Sequence, residues 1–472
     1  MEGANDCRAF LDHLRYVCVS WPIDTEATLM PLTFAGEAFL VLGLGKTGQA
    51  AMRALEKVGA EVFSWDDASK KNDIPWSRLR AIICSPGIPS LWPRPHPVIA
   101  EARQRFVPIF SDVDILRQLA PQSRFIAITG TNGKSTTTAW LGEVLQDCAV
   151  GGNIGLPALD LPFDKNTHNC YALELSSYQL EISQYPLYDI SVLLNITPDH
   201  LTRHGGMEGY VTAKRRIFLN PRGVAIVGVD DPHGRRLAQY LAQDPERVIV
   251  PISGERVPEG GIGWQGGHLI DARTQETHLL QEDVLQGAHN QQNCAAVYAA
   301  AVSCGLSPTQ VKQRLKAFKG LAHRQEHVAT WQNVIFINDS KATNANSVLL
   351  ALRRFSGTYW ITGGRQKEDG ITALTPFFPS IKKAFLIGEA AVPFSHVLQD
   401  AYVPFEIVHT LERATRAAFL AAKEHATPAA PQVVLFSPAC ASFDQFRDFE
   451  ERGTFFKQCV QQIQETSYDV CA

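Results

Sequence analysis

Apolar residues in this chain fall into short runs that alternate with longer segments of helical periodicity. The first run is Ala38–Leu42, and we predict further strands at 61–65, 81–84 and 107–109, with a helix over about 47–58. Short apolar strands separated by helices are typical of parallel sheets with helices on both faces. The pattern therefore predicts a doubly wound α/β arrangement.

The same alternation continues in two further blocks. The second is predicted to contain strands at 125–128, 171–175 and 190–195, and helices over 137–145 and near 290–303. The third is predicted to contain strands at 333–337, 357–361, 384–387, 405–408 and 432–436. Both blocks therefore have the α/β character of the first.

Chain length indicates several domains, because 472 residues are too many for one hydrophobic core. We expect three domains, at 1–123, 124–320 and 321–472. Residues 1–35 have no clear period and precede the first strand, so we interpret them either as an extension or as an over-called start, with Met30 as the initiator.

Composition excludes several classes of protein. With 45% hydrophobic and 19% charged residues the chain resembles ordinary globular material, and a net charge of −4 gives no electrostatic footprint for nucleic acid. No apolar run approaches the roughly 18 to 20 residues that span a bilayer. The ten cysteines form no C-x-x-C pair. We expect a cytoplasmic protein with reduced thiols and without nucleic-acid or membrane partners.

The segment 128–136 reads ITGTNGKST and carries the clearest chemistry. It follows a predicted strand and leads into a predicted helix, which is the setting of a phosphate-binding loop. Gly130 and Gly133 allow close approach of an anion, Lys134 can reach the β and γ phosphates, and Ser135 can ligate Mg²⁺. The full G-x-x-x-x-G-K-[ST] pattern requires glycine where Ile128 stands, so the loop is shortened. The alternative is a surface turn with an incidental lysine.

A second glycine pattern, G-x-G-x-x-G, begins at Gly43 after the first strand, and Asp66 ends the next strand. This pattern is typical of dinucleotide binding. It is also satisfied by any tight turn that leads into a helix, so NAD is one interpretation among several.

Ionisable side chains follow several predicted strands. They are Glu174, His200, Asp339 and Lys341. A carboxylate at the end of a buried strand is costly unless it is paired or bound to metal, and ligands gather at the carboxyl ends of strands in open α/β sheets. The alternatives are a salt-bridge or capping role for Glu174, an ordinary loop histidine, and an Asx-turn at Asp339.

Nine motifs in chain order resemble those of the Mur ligases, a family that builds peptidoglycan precursors. They are GTNGKS at 130, GGNIG at 151, LELSSYQ at 173, PDH at 198, AKRR at 213, AHN at 288, HR at 323, NDSKATN at 338 and SPACASFDQF at 437. The resemblance extends from about Phe39 to Phe456, and it is greatest to the members that add D-glutamate.

The resemblance implies N- and C-terminal Rossmann-like doubly wound sheets flanking a central P-loop-type ATPase domain. It also implies that ATP phosphorylates the carboxylate of UDP-N-acetylmuramoyl-L-alanine and that D-glutamate attacks the acyl phosphate. Two Mg²⁺ ions and a monomeric enzyme are expected.

The resemblance further implies the roles of individual residues. Catalytic roles fall to Lys134, Glu174, His200 and Lys214, and metal ligation to Ser135, Glu174, His200 and a carbamylated Lys214. Without it, Lys214 and its arginine neighbours would be a solvated basic helix face. ATP contacts fall to Gly130, Thr131, Asn132, Gly133, Lys134, Ser135, Thr136, Asn290, Arg324 and Asp339.

The two remaining substrates are assigned in the same way. The nucleotide sugar is expected at Lys46, Thr47, Asp66, Asp67, Ser85, Pro86, Gly87, Asn153, Ser176 and Gln179. D-glutamate is expected at Thr343, Lys367, Ser442 and Phe449. Lys46 departs from the aliphatic residue usual in the family, and Arg365 and Gln366 stand where an Asp-Gly type pair is common.

Two other classes remain as alternatives. Another amino-acid ligase of the superfamily, such as a diamino-acid ligase or a folate polyglutamate synthase, is expected to show an Asp-Asn-Pro-Arg motif or a pterin-binding loop, and neither occurs. An NAD-linked protein built on Gly43 would leave the phosphate loop, Glu174 and His200 without a role.

Overall fold

The computed structural model describes residues 32–68, 74–163, 170–279, 287–318, 320–366 and 370–468. The chain divides into two compact units, 1–318 and 319–472. The domain boundaries expected near 123 and 321 remain predictions. Most of the expected N-terminal extension, and Lys367, lie outside the described residues. Among the helices described, none combines the length and apolar character needed to cross a bilayer.

The first sheet of unit 1 is parallel. Its strands are β1 (Ala38–Leu42), β2 (Glu61–Trp65), β3 (Leu79–Cys84) and β4 (Ile109–Phe110), in the order β2-β1-β3-β4. Its helices are α1 (Lys46–Lys57), α2 (Pro97–Gln104) and α3 (Asp112–Leu119). The strand predicted at 107–109 pairs only from Ile109, because Pro108 has no N–H to donate to the ladder.

The second sheet of unit 1 contains the phosphate-loop strand near its middle. Its strands are β5 (Arg124–Thr129), β6 (Cys148–Gly152), β7 (Cys170–Glu174), β8 (Ile190–Leu193), β9 (Val224–Gly228), β10 (Ile249–Ile252), β11 (Ile262–Gln265), β12 (His268–Asp271) and β13 (Glu276–Leu279). Their order is β13-β12-β11-β10-β9-β8-β5-β7-β6, and within the described part of this sheet only the pairs β11–β12 and β12–β13 are antiparallel. From β5 the chain continues to β6 and β7 on one side of this strand and then to β8 on the other side, so the strand order reverses at β5. Ligands bind at such a switch point in open α/β sheets.

The helices of this region connect the strands and carry several candidate residues. They are α4 (Lys134–Leu145), α5 (Ser177–Ile182), α6 (Leu201–His204), α7 (Met207–Arg215), α8 (Pro232–Leu241), α9 (Ala288–Ser303) and α10 (Pro308–Leu315). One hydrophobic cluster includes Phe39 and Val41 of the first sheet with Phe125 and Leu173 of the second. The two sheets of unit 1 therefore share a core.

Unit 2 contains a third sheet, which is flanked by helices. Its strands are β14 (Glu326–Trp331), β15 (Val334–Asn338), β16 (Thr358–Gly363), β17 (Ile381–Ile387), β18 (Phe405–His409) and β19 (Gln432–Phe436), in the order β14-β15-β19-β16-β17-β18. Its helices are α11 (Ala345–Arg354), α12 (Ala391–Asp400), α13 (Leu411–Lys423) and α14 (Phe449–Tyr468). Trp360 packs in one core and its neighbours Tyr359 and Ile361 pack in another, so both faces of the sheet are covered.

Candidate functional site

The phosphate loop connects β5 to α4, as the sequence predicts. Gly133 is the N-cap residue of α4 and has a φ of 85°, a left-handed conformation that favours glycine. A Cβ at this position would overlap the side-chain oxygen of Asn293. A Cβ at Gly130 would lie 3.1 Å from Cβ of Leu194. Both glycines are therefore required by geometry, and the loop presents its backbone at the start of a helix.

The segment that follows β8 holds this loop in place. The N–H of Thr131 donates to the carbonyl of Asn195 at 2.9 Å, and the N–H of Asn132 donates to the Asn195 side-chain oxygen at 2.9 Å. The Tyr210 hydroxyl lies 3.1 Å from Oγ1 of Thr131. Sequence reasoning did not select Asn195, Tyr210 or Asn293, although Asn195 ends a predicted strand.

Lys134 is the first residue after the phosphate loop, and its side chain lies over that loop. Its Nζ donates to the carbonyls of Gly130 and Thr131, each at 2.9 Å. An ammonium in this position can exchange carbonyl oxygens for phosphate oxygens without moving far. Ser135 and Thr136 follow in the first turn of α4.

Glu174 ends β7 and is buried, with 2% of its surface exposed. Its Oε1 accepts a hydrogen bond from Nδ2 of Asn153 at 2.8 Å, and its Oε2 is buried with no hydrogen-bond partner among the described residues. An unpaired buried carboxylate oxygen is costly, and a divalent cation would satisfy it. Among the described residues, at Glu174 as elsewhere, no three His, Cys, Asp or Glu side chains converge as a metal-binding group.

Lys214 is almost completely buried on α7, which contradicts the alternative of a solvated basic face. Its Nζ donates to the Gly130 carbonyl at 2.9 Å and to Oγ1 of Thr129 at 3.2 Å. Burial, reinforced by the nearby charge of Lys134, lowers the pKa of Lys214 well below its usual value. The side chain is therefore placed beside the phosphate loop with a strong tendency to be a neutral amine.

His200 lies between β8 and α6 in a left-handed conformation, with a φ of 53°. Half of its side chain is exposed, and its Nε2 is 3.4 Å from a carboxylate oxygen of Asp199. Its ring centroid is 5.1 Å from that of Tyr178. Partial burial lowers the pKa of His200, which favours the neutral ring that ligates metal.

The expected nucleotide-sugar residues of the first sheet meet at its carboxyl edge. Asp66 accepts hydrogen bonds from the N–H groups of Leu44 and Ala68, each at 3.0 Å, and the Leu44 bond is the main cause of the lowered pKa of Asp66. The Ser85 hydroxyl donates to the Gly43 carbonyl at 2.7 Å. Lys46 and Thr47 begin α1 at the same edge; Asp67, Pro86 and Gly87 lie in the adjoining turns.

Ser176 and Gln179 have structural roles that sequence reasoning missed. They form a capping box at the start of α5, with the Gln179 N–H donating to Oγ of Ser176 at 3.1 Å. Nε2 of Gln179 also donates to Asp112 at 3.2 Å. The S-x-x-Q spacing is itself a capping signal and could have predicted this. A direct contact of these side chains with the sugar remains a prediction.

The remaining ATP residues fall in both units. Asn290 lies in the first turn of α9, with its side-chain oxygen 3.5 Å from Nδ2 of Asn293. In unit 2, Asp339 follows β15 and accepts from the Ser437 hydroxyl at 2.7 Å, and burial raises the pKa of Asp339 to about 7. Arg324 lies before β14, and its positive charge opposes that increase in the pKa of Asp339.

The expected D-glutamate residues in unit 2 adjoin a buried arginine that sequence reasoning missed. Ser442 is buried in the loop after β19, and Phe449 begins α14. Thr343 lies in the turn before α11. Arg452 is 1% exposed; it donates to the carbonyls of Ser340, at 2.8 Å, and Cys440, at 3.1 Å, and so ties α14 to these loops.

Comparison with known proteins shows which proteins share this sequence and fold. Residues 128–301 match the family model described as the Mur ligase middle domain. A protein of Rhodospirillum rubrum named UDP-N-acetylmuramoylalanine--D-glutamate ligase is 44% identical, with 93% of this chain and 98% of that protein covered. A protein of the same name from Paramagnetospirillum magneticum is 46% identical, with 90% and 96% covered.

Solved structures agree at the level of the fold. MurF from Acinetobacter baumannii superposes with a TM-score of 0.57 at 18% identity, covering 90% of this chain and 92% of that one. MurC from Thermotoga maritima has a TM-score of 0.55 at 17% identity, covering 91% and 99%. The fold and the phosphate loop thus define a three-domain α/β protein of the nucleotide-binding class. The near-full-length identities show, more particularly, that the chain belongs to the Mur ligase family.

Proposed function

We propose that this chain is an ATP-dependent acid–D-amino-acid ligase that adds D-glutamate to UDP-N-acetylmuramoyl-L-alanine. The observation that carries the proposal is a glycine-hinged phosphate loop beside two buried ionisable side chains, Glu174 and Lys214. The near-full-length relatives named as D-glutamate ligases support the choice of substrates.

The reaction joins an acid to an amine through an acyl phosphate. A carboxylate oxygen of the L-alanyl group attacks the γ-phosphorus of ATP, and ADP leaves. The uncharged amine of D-glutamate then attacks the acyl carbon, phosphate leaves with the former carboxylate oxygen, and the amine proton is released. Such chemistry depends mainly on positioning and charge neutralisation.

The phosphate loop provides that neutralisation in this proposal. Lys134 and those loop N–H groups that do not donate to Asn195 stabilise the charge on the transferred phosphoryl group, because they are already oriented before the reaction. Asn290, Arg324 and Asp339 complete the contacts with ATP.

The residues present are suited to bind Mg²⁺, because the buried Oε2 of Glu174 lacks a protein partner in the described chain. Ser135 and Glu174 would hold one ion, and His200 and a modified Lys214 the second. Bound Mg²⁺ supplies positive charge that balances the phosphates.

Carbamylation of Lys214 is supported by its burial. A neutral amine reacts with CO₂ to form a carbamate and releases a proton, and the lowered pKa of Lys214 favours the neutral amine. The product is an anionic oxygen ligand suited to Mg²⁺.

We propose that the nucleotide sugar binds along unit 1. Its uridine and diphosphate bind at the carboxyl edge of the first sheet, near Asp66 and Ser85, where backbone turns are already fixed by hydrogen bonds. Its L-alanyl end reaches the Asn153 and Ser176 region beside Glu174.

D-glutamate is placed in unit 2. Thr343 and Lys367 would receive its α-carboxylate, and Ser442 with the backbone at Phe449 its side-chain carboxylate. An ammonium and hydroxyl groups are suitable donors to a dicarboxylic amino acid.

The cellular setting follows from the substrates. ATP and a nucleotide-linked sugar place the reaction in the cytoplasm, in the synthesis of peptidoglycan precursors. Cell shape and cell division would therefore depend on it. We propose that the enzyme acts as a monomer.

Phosphate release from ATP tests the proposed function. Purified protein with Mg²⁺ and UDP-N-acetylmuramoyl-L-alanine is assayed with each common amino acid and with both enantiomers of glutamate. We expect release that requires D-glutamate and stops when the nucleotide sugar is omitted. Preference for another amino acid, or equal ATP consumption without any amine, contradicts the proposal.

A further inference from the structure

A buried cluster of charged side chains lies between the expected nucleotide-sugar loop and His200. Its centre is Glu181 on α5, whose side chain is 6% exposed. Glu181 forms an ion pair with Arg203 at 2.8 Å and accepts a hydrogen bond from the Ser90 hydroxyl, and its carboxylate lies 2.9 Å from Nδ1 of His204 without hydrogen-bond geometry. We call Glu181, Arg203, His204 and Ser90 the Glu181 cluster.

The cluster extends to the loop that follows β3. Nη2 of Arg203 donates to the Ile88 carbonyl at 3.1 Å, and Ile88 and Ser90 lie one and three residues beyond the expected nucleotide-sugar residues 85–87. Gly205, at the end of α6, packs so closely against Trp92 that a Cβ would lie 2.6 Å from the indole ring. The loop is therefore held by two bonds to the cluster and by one apolar contact.

The same cluster is connected to His200 through the ring of Tyr178. The Tyr178 ring lies 5.1 Å from the His200 ring and 5.4 Å from the His204 ring, and the Arg203 guanidinium lies 5.0 Å from its centre. Nε2 of His204 is 2.9 Å from the Ser177 hydroxyl, three residues beyond Glu174. The cluster thus contacts the segments that carry two of the four proposed metal ligands, Glu174 and His200.

Stability alone does not explain such a cluster. Burying ions carries a desolvation cost, and apolar side chains of similar volume often stabilise a core equally well. Charged hydrogen bonds fix the relative positions of the groups they join. The planar guanidinium of an arginine can bind a carboxylate and a carbonyl at the same time.

We infer that Arg203, Glu181 and His204 are positioning residues, which hold the 85–90 loop and the His200 turn in one fixed relation for the reaction. This inference rests on the proposed function for the roles of those two segments. Among the described residues of unit 1, the side-chain bonds of the cluster go to the 88–90 loop and to Ser177 and not to the phosphate loop, so its effect is predicted to be selective for the nucleotide sugar.

Hydrogen exchange tests the positioning without requiring activity. In Arg203→Lys the charge remains but the fork is lost, and we expect the amides of 87–90 and 199–204 to exchange about tenfold faster. The matched control is Arg53→Lys, because Arg53 pairs with Asp160 at 2.8 Å and also links the first sheet's α1 to the second-sheet region, far from these loops in sequence. Unchanged exchange in either segment, or an equal change in the control, overturns the inference.

Kinetics then tests the link to the reaction. We expect Arg203→Lys to raise the KM for UDP-N-acetylmuramoyl-L-alanine about tenfold, with the KM for D-glutamate changed less than about twofold. An unchanged KM for UDP-N-acetylmuramoyl-L-alanine, or an equal rise in the KM for D-glutamate, overturns the inference. Should Arg203→Lys not fold, Ser90→Ala removes one bond from the loop and is expected to show the same pattern more weakly. An inactive wild type would contradict the proposed function, while the exchange result would still decide the cluster's role.

Discussion

Asp112 is a carboxyl group that the fold encloses at the start of α3, with 1% of its surface exposed. Its side-chain partner is the Gln179 amide, at 3.2 Å. Burial raises the pKa of Asp112 to about 6. Because the folded protein then holds this proton more tightly than the unfolded chain, whose carboxyl titrates near pH 4, native stability falls as pH rises from about 4 to 6.

Asp112→Asn should therefore stabilise the protein at neutral pH. Asparagine keeps the acceptor oxygen without the buried charge, so we expect the free energy of unfolding to rise by about 2 to 3 kcal/mol at pH 7. The advantage should shrink at pH 5 and nearly vanish by pH 4. Urea unfolding of both proteins across this range measures it, and a difference independent of pH contradicts the account.

Lys214→Ala tests the proposed carbamate. Removal of the side chain should reduce the rate of phosphate release by roughly 100-fold or more, since a charge-stabilising group is lost. Formate or acetate can occupy the vacated space as a substitute carboxylate and should restore part of the rate. Chloride at equal ionic strength is the control. Equal rates in formate and chloride would argue against the modification.

At the scale of elements, the junction of β5 and α4 depends on one conformation. Gly133→Ala introduces a Cβ at a φ of 85° and against Asn293, whereas Gly266→Ala introduces one at a φ of 58° in open space. Each should lose about 1 to 2 kcal/mol of stability from its backbone conformation.

Only Gly133→Ala should also lose ATP affinity, because it alone displaces the phosphate loop. Fluorescence titration with a labelled ATP analogue, paired with thermal unfolding, separates the two effects. Similar ATP affinity in the two variants would show that the loop tolerates the displacement.

The sequence predicts β5, β7 and β8 of the second sheet, but it misses β6, β9 and the strands from β10 to β13. β5 and β7 are apolar between their end residues because helices cover both faces, so their pattern is visible in sequence. The strands from β10 to β13 have four residues each, and Pro251 interrupts the pattern of β10. Such short segments carry too little periodicity to distinguish a strand from a loop.

The site was predictable where residue type alone implies chemistry. Gly133, Lys134 and Glu174 belong to that group. The burial of Lys214 was not predictable from its own segment, since a Lys-Arg-Arg run on a helix usually faces solvent and only the fold places its amine beside Gly130. The Glu181 cluster was invisible for the same reason, because Ser90 and Arg203 are far apart in sequence.

At the scale of the whole molecule, the amino acid and the nucleotide sugar are proposed to bind residues of different units. Lys367→Ala should therefore raise the KM for D-glutamate by roughly 10- to 100-fold, the loss expected for one charge-assisted hydrogen bond. The KM for ATP should change little. Initial rates with each substrate varied in turn measure both, and equal increases would place Lys367 elsewhere.

Transfer of oxygen from substrate to phosphate tests the central claim most directly. UDP-N-acetylmuramoyl-L-alanine labelled with ¹⁸O in its carboxylate is converted with ATP and D-glutamate, and the released phosphate is analysed by mass spectrometry. An acyl phosphate requires that each phosphate carry one labelled oxygen. Unlabelled phosphate, with amide product still formed, would contradict activation of the acid by ATP.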